Sequence, residues 1–262
     1  MTPATLLLTA TVQPADVIFC DRADVALRLA DYLHAFRFWL GEPLIERIVL
    51  VENSGFDLDP FRAMANRPAF KHKQVEVLGF TQAPFDRNLG KSYGEALIIQ
   101  HALSHSRLLT DDGCVIKGTG RYVPTNFYKV WPNVASDSPS YVVANFYSHP
   151  NVADSRFFAC RAEFLSRYLI PVTPDINDSG GVYFEHALAK AIGNAVRDGH
   201  TWSAWPGGGL FVDGVQGSTN TSYPYPRWKR YLYRAIATVR NGAPFRWRLG
   251  APVARPGQGS RT

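Results

Sequence analysis

Short, nearly continuous apolar runs alternate in the first half of the chain with stretches in which apolar residues recur three and four positions apart. Thr5–Val12 is the first apolar run and predicts a strand. Asp24–Leu40 follows, with Val25, Leu29, Tyr32, Leu33, Phe36 and Leu40 at helical spacing, and Gly41-Glu-Pro ends it. Arg47–Glu52 runs into Asn-Ser-Gly55, the profile of a parallel strand buried on both faces and opening at its carboxyl end. A short helix starts at Asp59-Pro60, a third strand spans Gln74–Phe80, and a helix with a glycine-rich entrance spans Gly90–Leu103. The fourth strand is centred on Val115-Ile116 and runs into Lys117-Gly-Thr-Gly-Arg121. Strands separated by helices in this order predict a mostly parallel, doubly wound α/β sheet in a single domain, because parallel neighbours need crossover connections. Beyond it the pattern loosens. Ser140–Asn145 reads as a strand, Phe157–Leu169 as strand then helix, Tyr183–Ala195 as an amphipathic helix, and Gly207–Asp213 as loop and strand.

Composition narrows the class. At 262 residues and 46% hydrophobic content the chain can bury a substantial core. Its three cysteines, Cys20, Cys114 and Cys160, are widely spaced and form no CxxC pair, so neither a disulfide framework nor a cysteine zinc site is expected, and a reducing cytoplasm fits. Met1–Ala10 lacks a basic opening and is too short to span a bilayer, so it reads as a strand rather than a leader. The net charge of +6 owes much to 226–250, which is basic and free of acids, and places Trp228, Tyr231, Leu232, Ala235 and Val239 on one helical face. That is the composition of a helix lying on an anionic membrane surface, although the same face could pack on the protein's own core. Residues 251–262 read as a disordered tail, which divides the chain into 1–225, 226–250 and 251–262.

Motif chemistry narrows it again. Residues 9–25 contain no glycine, which disfavours both the dinucleotide fingerprint and the P-loop at the first strand-to-helix turn. Glycines at a strand end let a backbone approach a ligand closely, and Lys117 and Arg121 add positive charge there, an environment suited to phosphate. A turn with two solvated cations is the alternative. Thr9-Ala-Thr-Val, Val51-Glu-Asn-Ser-Gly55, Gly90-Lys-Ser-Tyr-Gly-Glu95 and Ile116-Lys-Gly-Thr-Gly-Arg-Tyr122 together resemble a group of bacterial surface-polysaccharide glycosyltransferases of the GT-A type, the capsule and lipopolysaccharide O-antigen class. The resemblance covers roughly residues 5–220 and implies a GT-A-like fold that moves a sugar from a nucleotide-sugar donor to a glycan or lipid-linked glycan acceptor, in the cytoplasm or on the inner face of its membrane.

On that frame Thr9, Glu52, Asn53, Ser54, Gly90, Lys91, Lys117, Thr119 and Arg121 fall on the donor side. The frame also implies an Asp-x-Asp metal motif where this chain has Lys117-Gly-Thr-Gly-Arg121, so the expectation is transfer without a required cofactor, with Lys117 and Arg121 in place of Mn²⁺ or Mg²⁺. Asp111 and Asp112 are the substitute metal pair if there is one, but they precede the fourth strand and also suit a turn. For the acceptor side, Glu185 follows an acidic, glycine-containing loop and could act as general base; a helix-start glutamate is its alternative role. Asp178 is a second candidate base, or a turn residue. Asp154 and Arg156 could hold sugar hydroxyls or form an ion pair, and Trp205 could hinge a lid over a sugar or belong to the core. A nucleotidyltransferase shares the parallel-sheet site but wants a glycine-rich basic loop after its first strand. A nucleic-acid-binding protein is prompted only by the basic terminal segment, and no nucleic acid partner is expected.

Overall fold

In a computed structural model, the protein is described for residues 4–14, 20–136, 140–147, 149–217 and 219–223. Segments 226–250 and 251–262, with their membrane-helix and disorder expectations, lie outside the described residues. In chain order the main elements are β1 (Thr5–Ala10), α1 (Val25–Gly41), β2 (Arg47–Glu52), α2 (Asp59–Ala65), β3 (Gln74–Gly79), α3 (Gly90–His105), β4 (Cys114–Thr119), β5 (Val123–Pro124), α4 (Phe127–Ser136), β6 (Val142–Val143), β7 (Phe157–Arg161), α5 (Ala162–Phe164), α6 (Phe184–Arg197), β8 (Trp202–Ser203), β9 (Val212–Val215) and β10 (Ser222–Tyr223). Seven strands form one sheet in the order β3-β2-β1-β4-β7-β6-β8. β1 lies parallel to both β2 and β4, and β2 to β3. Only β7 runs against its neighbours. This is the GT-A-like, mostly parallel α/β domain that the sequence predicts.

Strand parity builds the two halves of the core. Leu7, Val49, Val51 and Val115 face the layer that holds α3 and α6, and Leu6, Leu8, Ile48, Leu50 and Ile116 face the layer that holds α1 and α2. Every residue of β1 is buried, because a central parallel strand has helices on both sides. Burying one such leucine contributes about 1.5–3 kcal/mol, so the strand ends are anchored by their own hydrophobic runs. Asp24 caps α1 by accepting from the Leu27 amide at 2.8 Å, as expected of an aspartate just before the apolar period begins.

The sequence pattern did not reveal several short elements. α4 contains Pro132, which breaks the usual helix signal, and it is held by ring packing of Phe127 on Trp39 at 5.0 Å between centroids. β6 is two residues long where a six-residue strand is expected, and β5, β8 and β10 are equally short, too brief for any periodicity. β5, β9 and β10 make a separate antiparallel sheet, and Gln216, Gly217 and Thr219 beside it line the same crevice as Thr9 and Thr119 at the ends of β1 and β4. The chain leaves β1 for β2 and β3 on one side, then returns to β4 on the other. At such a switch point the connections diverge and leave a crevice beyond the carboxyl ends of the strands.

Candidate active site

A cavity of about 620 Å³ occupies that crevice. Its floor begins at Thr9 and Thr119, which are register partners on β1 and β4. At one end, Thr11 donates to Asn53 Oδ1 at 2.6 Å, and Asn53 Nδ2 donates to Gln82 Oε1 at 2.6 Å and to the Gly94 carbonyl at 3.4 Å. All four residues line the cavity. The loop after β1 is braced from below. The Tyr32 hydroxyl accepts from the Thr11 amide at 2.9 Å, and Arg28 Nε donates to the Thr11 carbonyl at 2.7 Å.

Glu52 and Ser54, expected at the donor, lie beneath that loop and off the cavity wall. Fully buried Glu52 accepts from the Val12 and Ser54 amides, both at 2.9 Å, from the Phe56 amide at 3.2 Å and from the Ser54 hydroxyl, while Ser54 Oγ accepts from the Gln13 amide at 3.1 Å. A carboxylate with this many donors fixes backbone and has little left for a ligand.

Arg121 is on the wall. Its guanidinium lies 5.8 Å from the Tyr32 ring and 5.6 Å from the Tyr122 ring, and Nη1 donates to the Val215 carbonyl at 2.9 Å. Its buried Nε has no partner among the described residues. A Cβ on Gly217 would fall 2.6 Å from Arg121 Nη2, so the glycine lets the backbone at 216–217 approach this cation. Lys91 is also on the wall, exposed at the start of α3.

Lys117 is placed differently. Its side chain is 0% exposed, and its ammonium bonds Glu95 Oε1, the Ser155 carbonyl at 2.9 Å and Thr119 Oγ1 at 3.4 Å, beneath the cavity. Three donors meet three acceptors, so the charge that the sequence assigns to a diphosphate is committed within the fold. Glu95, which the sequence reading left without a role, is on the wall and also accepts from the Thr9 hydroxyl at 3.2 Å.

Glu185, at the start of α6, also lines the cavity. It accepts from the Ser155 hydroxyl at 2.8 Å, and burial pushes its carboxyl above the usual carboxylate range, with the nearby Glu95 charge acting in the same direction. Asp154 and Arg156 form a two-pronged ion pair, with Nη2–Oδ2 at 2.6 Å and Nε–Oδ1 at 2.8 Å, and Arg156 reaches the cavity beside Tyr147. Trp205 is a core residue: its indole donates to the Phe157 carbonyl at 3.1 Å and its ring packs near Trp131. Asp111 and Asp112 occupy an exposed turn at the amino end of β4, away from the cavity.

Among the described residues no group of three or more His, Cys, Asp or Glu side chains could hold a metal ion.

Asp178 is 1% exposed and lies behind the wall, where it joins the 176–182 loop to the start of α3. Oδ2 accepts from the Ser92 amide at 3.3 Å, while Oδ1 has no partner among the described residues. Gly90, at φ +69°, has no room for a Cβ against this carboxyl, which explains the glycine at the helix entrance. Gly90 therefore seats Asp178 and is not on the cavity wall.

No protein-family description matches the chain, and no curated protein sequence does. Solved structures do match in shape. The mannosyltransferase PcManGT from Pyrobaculum calidifontis, in complex with GDP-Man and Mn²⁺, superposes with a TM-score of 0.51 at 13% identity, over 95% of this chain and 68% of that one. A cytidylyltransferase from Leptospira borgpetersenii serovar Hardjo-bovis gives 0.46 at 11% identity, covering 79% of this chain and 76% of that one. Mouse xyloside xylosyltransferase 1 gives 0.39 at 11%, over 72% and 81%. The first of these establishes the shared fold.

Burial raises the Asp178 carboxyl above its ordinary range. A carboxyl whose folded value is raised costs nothing while protonated and destabilises increasingly as pH climbs through that value. Asp178→Asn keeps an acceptor for the Ser92 amide and removes the charge. Thermal unfolding should therefore show the variant more stable than wild type at about pH 8, with the gap closing at about pH 4. An equal gap at both values would mean that Asp178 is not a charge-strained joint.

Proposed function

We propose that the protein is a nucleotide-sugar-dependent glycosyltransferase whose general base is Glu185. The observation that carries this reading is the pairing, in one crevice, of a carboxylate with a raised proton affinity and the cations Arg121, just past the end of β4, and Lys91, at the start of α3. The Thr11–Asn53–Gln82 end offers amide and hydroxyl groups to a base or ribose, and the diphosphate takes the cationic strand end. The acceptor hydroxyl approaches from the Glu185, Tyr147 and Arg156 side. Glu185 takes its proton as the oxygen attacks the anomeric carbon from the face opposite the diphosphate. The bond from that carbon to the diphosphate oxygen breaks, and the nucleoside diphosphate leaves with its charge stabilised by Arg121 and Lys91, inverting the anomeric centre.

The finer reading is that residues 1–225 form the catalytic domain and that the acceptor is a glycan or lipid-linked glycan of a bacterial surface polysaccharide. The basic composition of 226–250 supports peripheral contact with the inner face of an anionic membrane, where such an acceptor would be carried. Among the described residues, no helix is long and apolar enough to cross a membrane.

Nucleoside diphosphate release, measured over a panel of nucleotide sugars with glycan acceptors, tests the reading. Glu185→Gln preserves shape and should lower turnover about 10²–10⁴-fold. Because Glu185 must be ionised to act, wild-type kcat/KM should rise with pH through its raised value. A loss below tenfold would remove Glu185 as the base, and pyrophosphate release from a nucleoside triphosphate and a sugar 1-phosphate would indicate nucleotidyl transfer.

Metal dependence is a separate question for the same assay. Turnover should persist in EDTA, because Arg121 and Lys91 line the cavity where a leaving diphosphate needs positive charge. Complete loss with rescue by Mn²⁺ would contradict the assignment of the leaving-group charge to side chains.

A further inference from the structure

Glu95 is held in an unusual way for a cavity carboxylate. Both of its hydrogen bonds fall on Oε1, from the Lys117 ammonium and from the Thr9 hydroxyl at 3.2 Å. Lys117 is completely buried, whereas the Glu95 side chain is 22% exposed and lines the cavity. Oε2 therefore has no donor among the described residues, and the pinned Oε1 keeps the carboxylate from turning away. A carboxylate oxygen only accepts hydrogen bonds, and a charge-assisted bond from a hydroxyl is about twice as strong as a neutral one. The position along α3 fits a contact beyond the base. Gly94 sits against Gln82 and Asn53 at the amide end, whereas Glu95 reaches across Thr9 toward the end of β4 and toward Glu185, the other carboxylate of the cavity.

We propose that Glu95 is a specificity-determining residue for the donor, accepting a ring hydroxyl of a neutral sugar and rejecting donors whose sugar carries a carboxylate. This rests on the glycosyltransferase reading and deepens it by naming the donor class. A neutral hexose presents hydroxyl donors to Oε2. A uronic acid in the same place sets its own carboxylate against Glu95 and Glu185, and like charges in a partly desolvated cleft repel. A Glu95 that served only to neutralise Lys117 would not influence this choice.

Calorimetric titration separates the roles. The probes are UDP, UDP-glucose and UDP-glucuronate, together with GDP, GDP-mannose and GDP-mannuronate, against wild type and Glu95→Gln. Wild type should bind the neutral-sugar nucleotide more tightly than its uronate counterpart. Glu95→Gln, which keeps an amide oxygen for Lys117, should weaken neutral-sugar binding about tenfold and shrink the preference by a similar factor, with nucleoside diphosphate affinity unchanged. Thermal unfolding checks that the variant is folded. If it is not, Glu95→Gln/Lys117→Met replaces both charges with neutral groups of similar size and should lose the same discrimination. A neutral-over-uronate preference that survives substitution while nucleoside diphosphates still bind would overturn the role of Glu95 alone. Absence of binding by every nucleotide would overturn the glycosyltransferase reading and this inference with it.

Discussion

The ion pair between Lys117 and Glu95 is the constraint on which the site depends. A buried ammonium is tolerated only where its hydrogens are satisfied and its charge is matched, and removing one partner of such a pair typically costs about 3–5 kcal/mol. Here the satisfying groups come from separate parts of the chain. β4 supplies Lys117 and Thr119, α3 supplies Glu95, and the segment before β7 supplies the Ser155 carbonyl. The Phe184 ring, at the start of α6, lies 5.5 Å from the ammonium. One charge thereby fixes the mutual positions of α3, the end of β4 and the start of the helix that carries Glu185. Ser155 extends the arrangement, since its carbonyl accepts from Lys117 while its hydroxyl donates to Glu185.

Sheet topology supplies the space above this node. β1 sits between β2 and β4, its neighbours' connections diverge, and the cavity forms where backbone from neither side fills the gap. The small antiparallel sheet then closes one flank, because Arg121 holds the Val215 carbonyl and Gly217 permits the approach. The positive potential at the strand end comes from Arg121 and Lys91, with Lys117 neutralised below them. The carboxyl groups of Glu185 and of Glu95, the latter matched by Lys117, line the same cavity. The two kinds of charge share one cavity, the layout expected where a leaving group gains negative charge as a hydroxyl loses its proton.

The fold was legible because central parallel strands are buried on both faces and so read as continuous apolar runs, as in Leu6–Leu8 and Ile48–Val51. Pro132 masked α4, and two-residue strands carry no periodicity. Thr9, Asn53, Lys91, Thr119, Arg121 and Glu185, which the sequence places at or just beyond the ends of buried elements, line the cavity. Glu52, Ser54 and Lys117 stand in the same sequence context but one layer deeper, and strand-end position does not separate the wall from its support. Tyr32 and Arg28 were hidden inside a helical pattern that accounts for them as core and surface. Gln82 lies in an irregular loop with no pattern to mark it. Glu95 had a usable signal: it falls four residues after Lys91 on α3, in the same glycine-rich entrance, and so on the same face of the helix.

On the proposed reading, nucleotide binds in the crevice above the Lys117–Glu95 pair. Hydrogen exchange, followed by mass spectrometry with and without saturating nucleoside diphosphates, tests it most directly. Binding there should slow exchange in peptides covering 9–12, 90–95 and 119–122 and leave unchanged the surface hollow at the end of α1, around His34, Arg37 and Glu42. Protection confined to that hollow, or to segments remote from the ends of β1 and β4, would contradict the account.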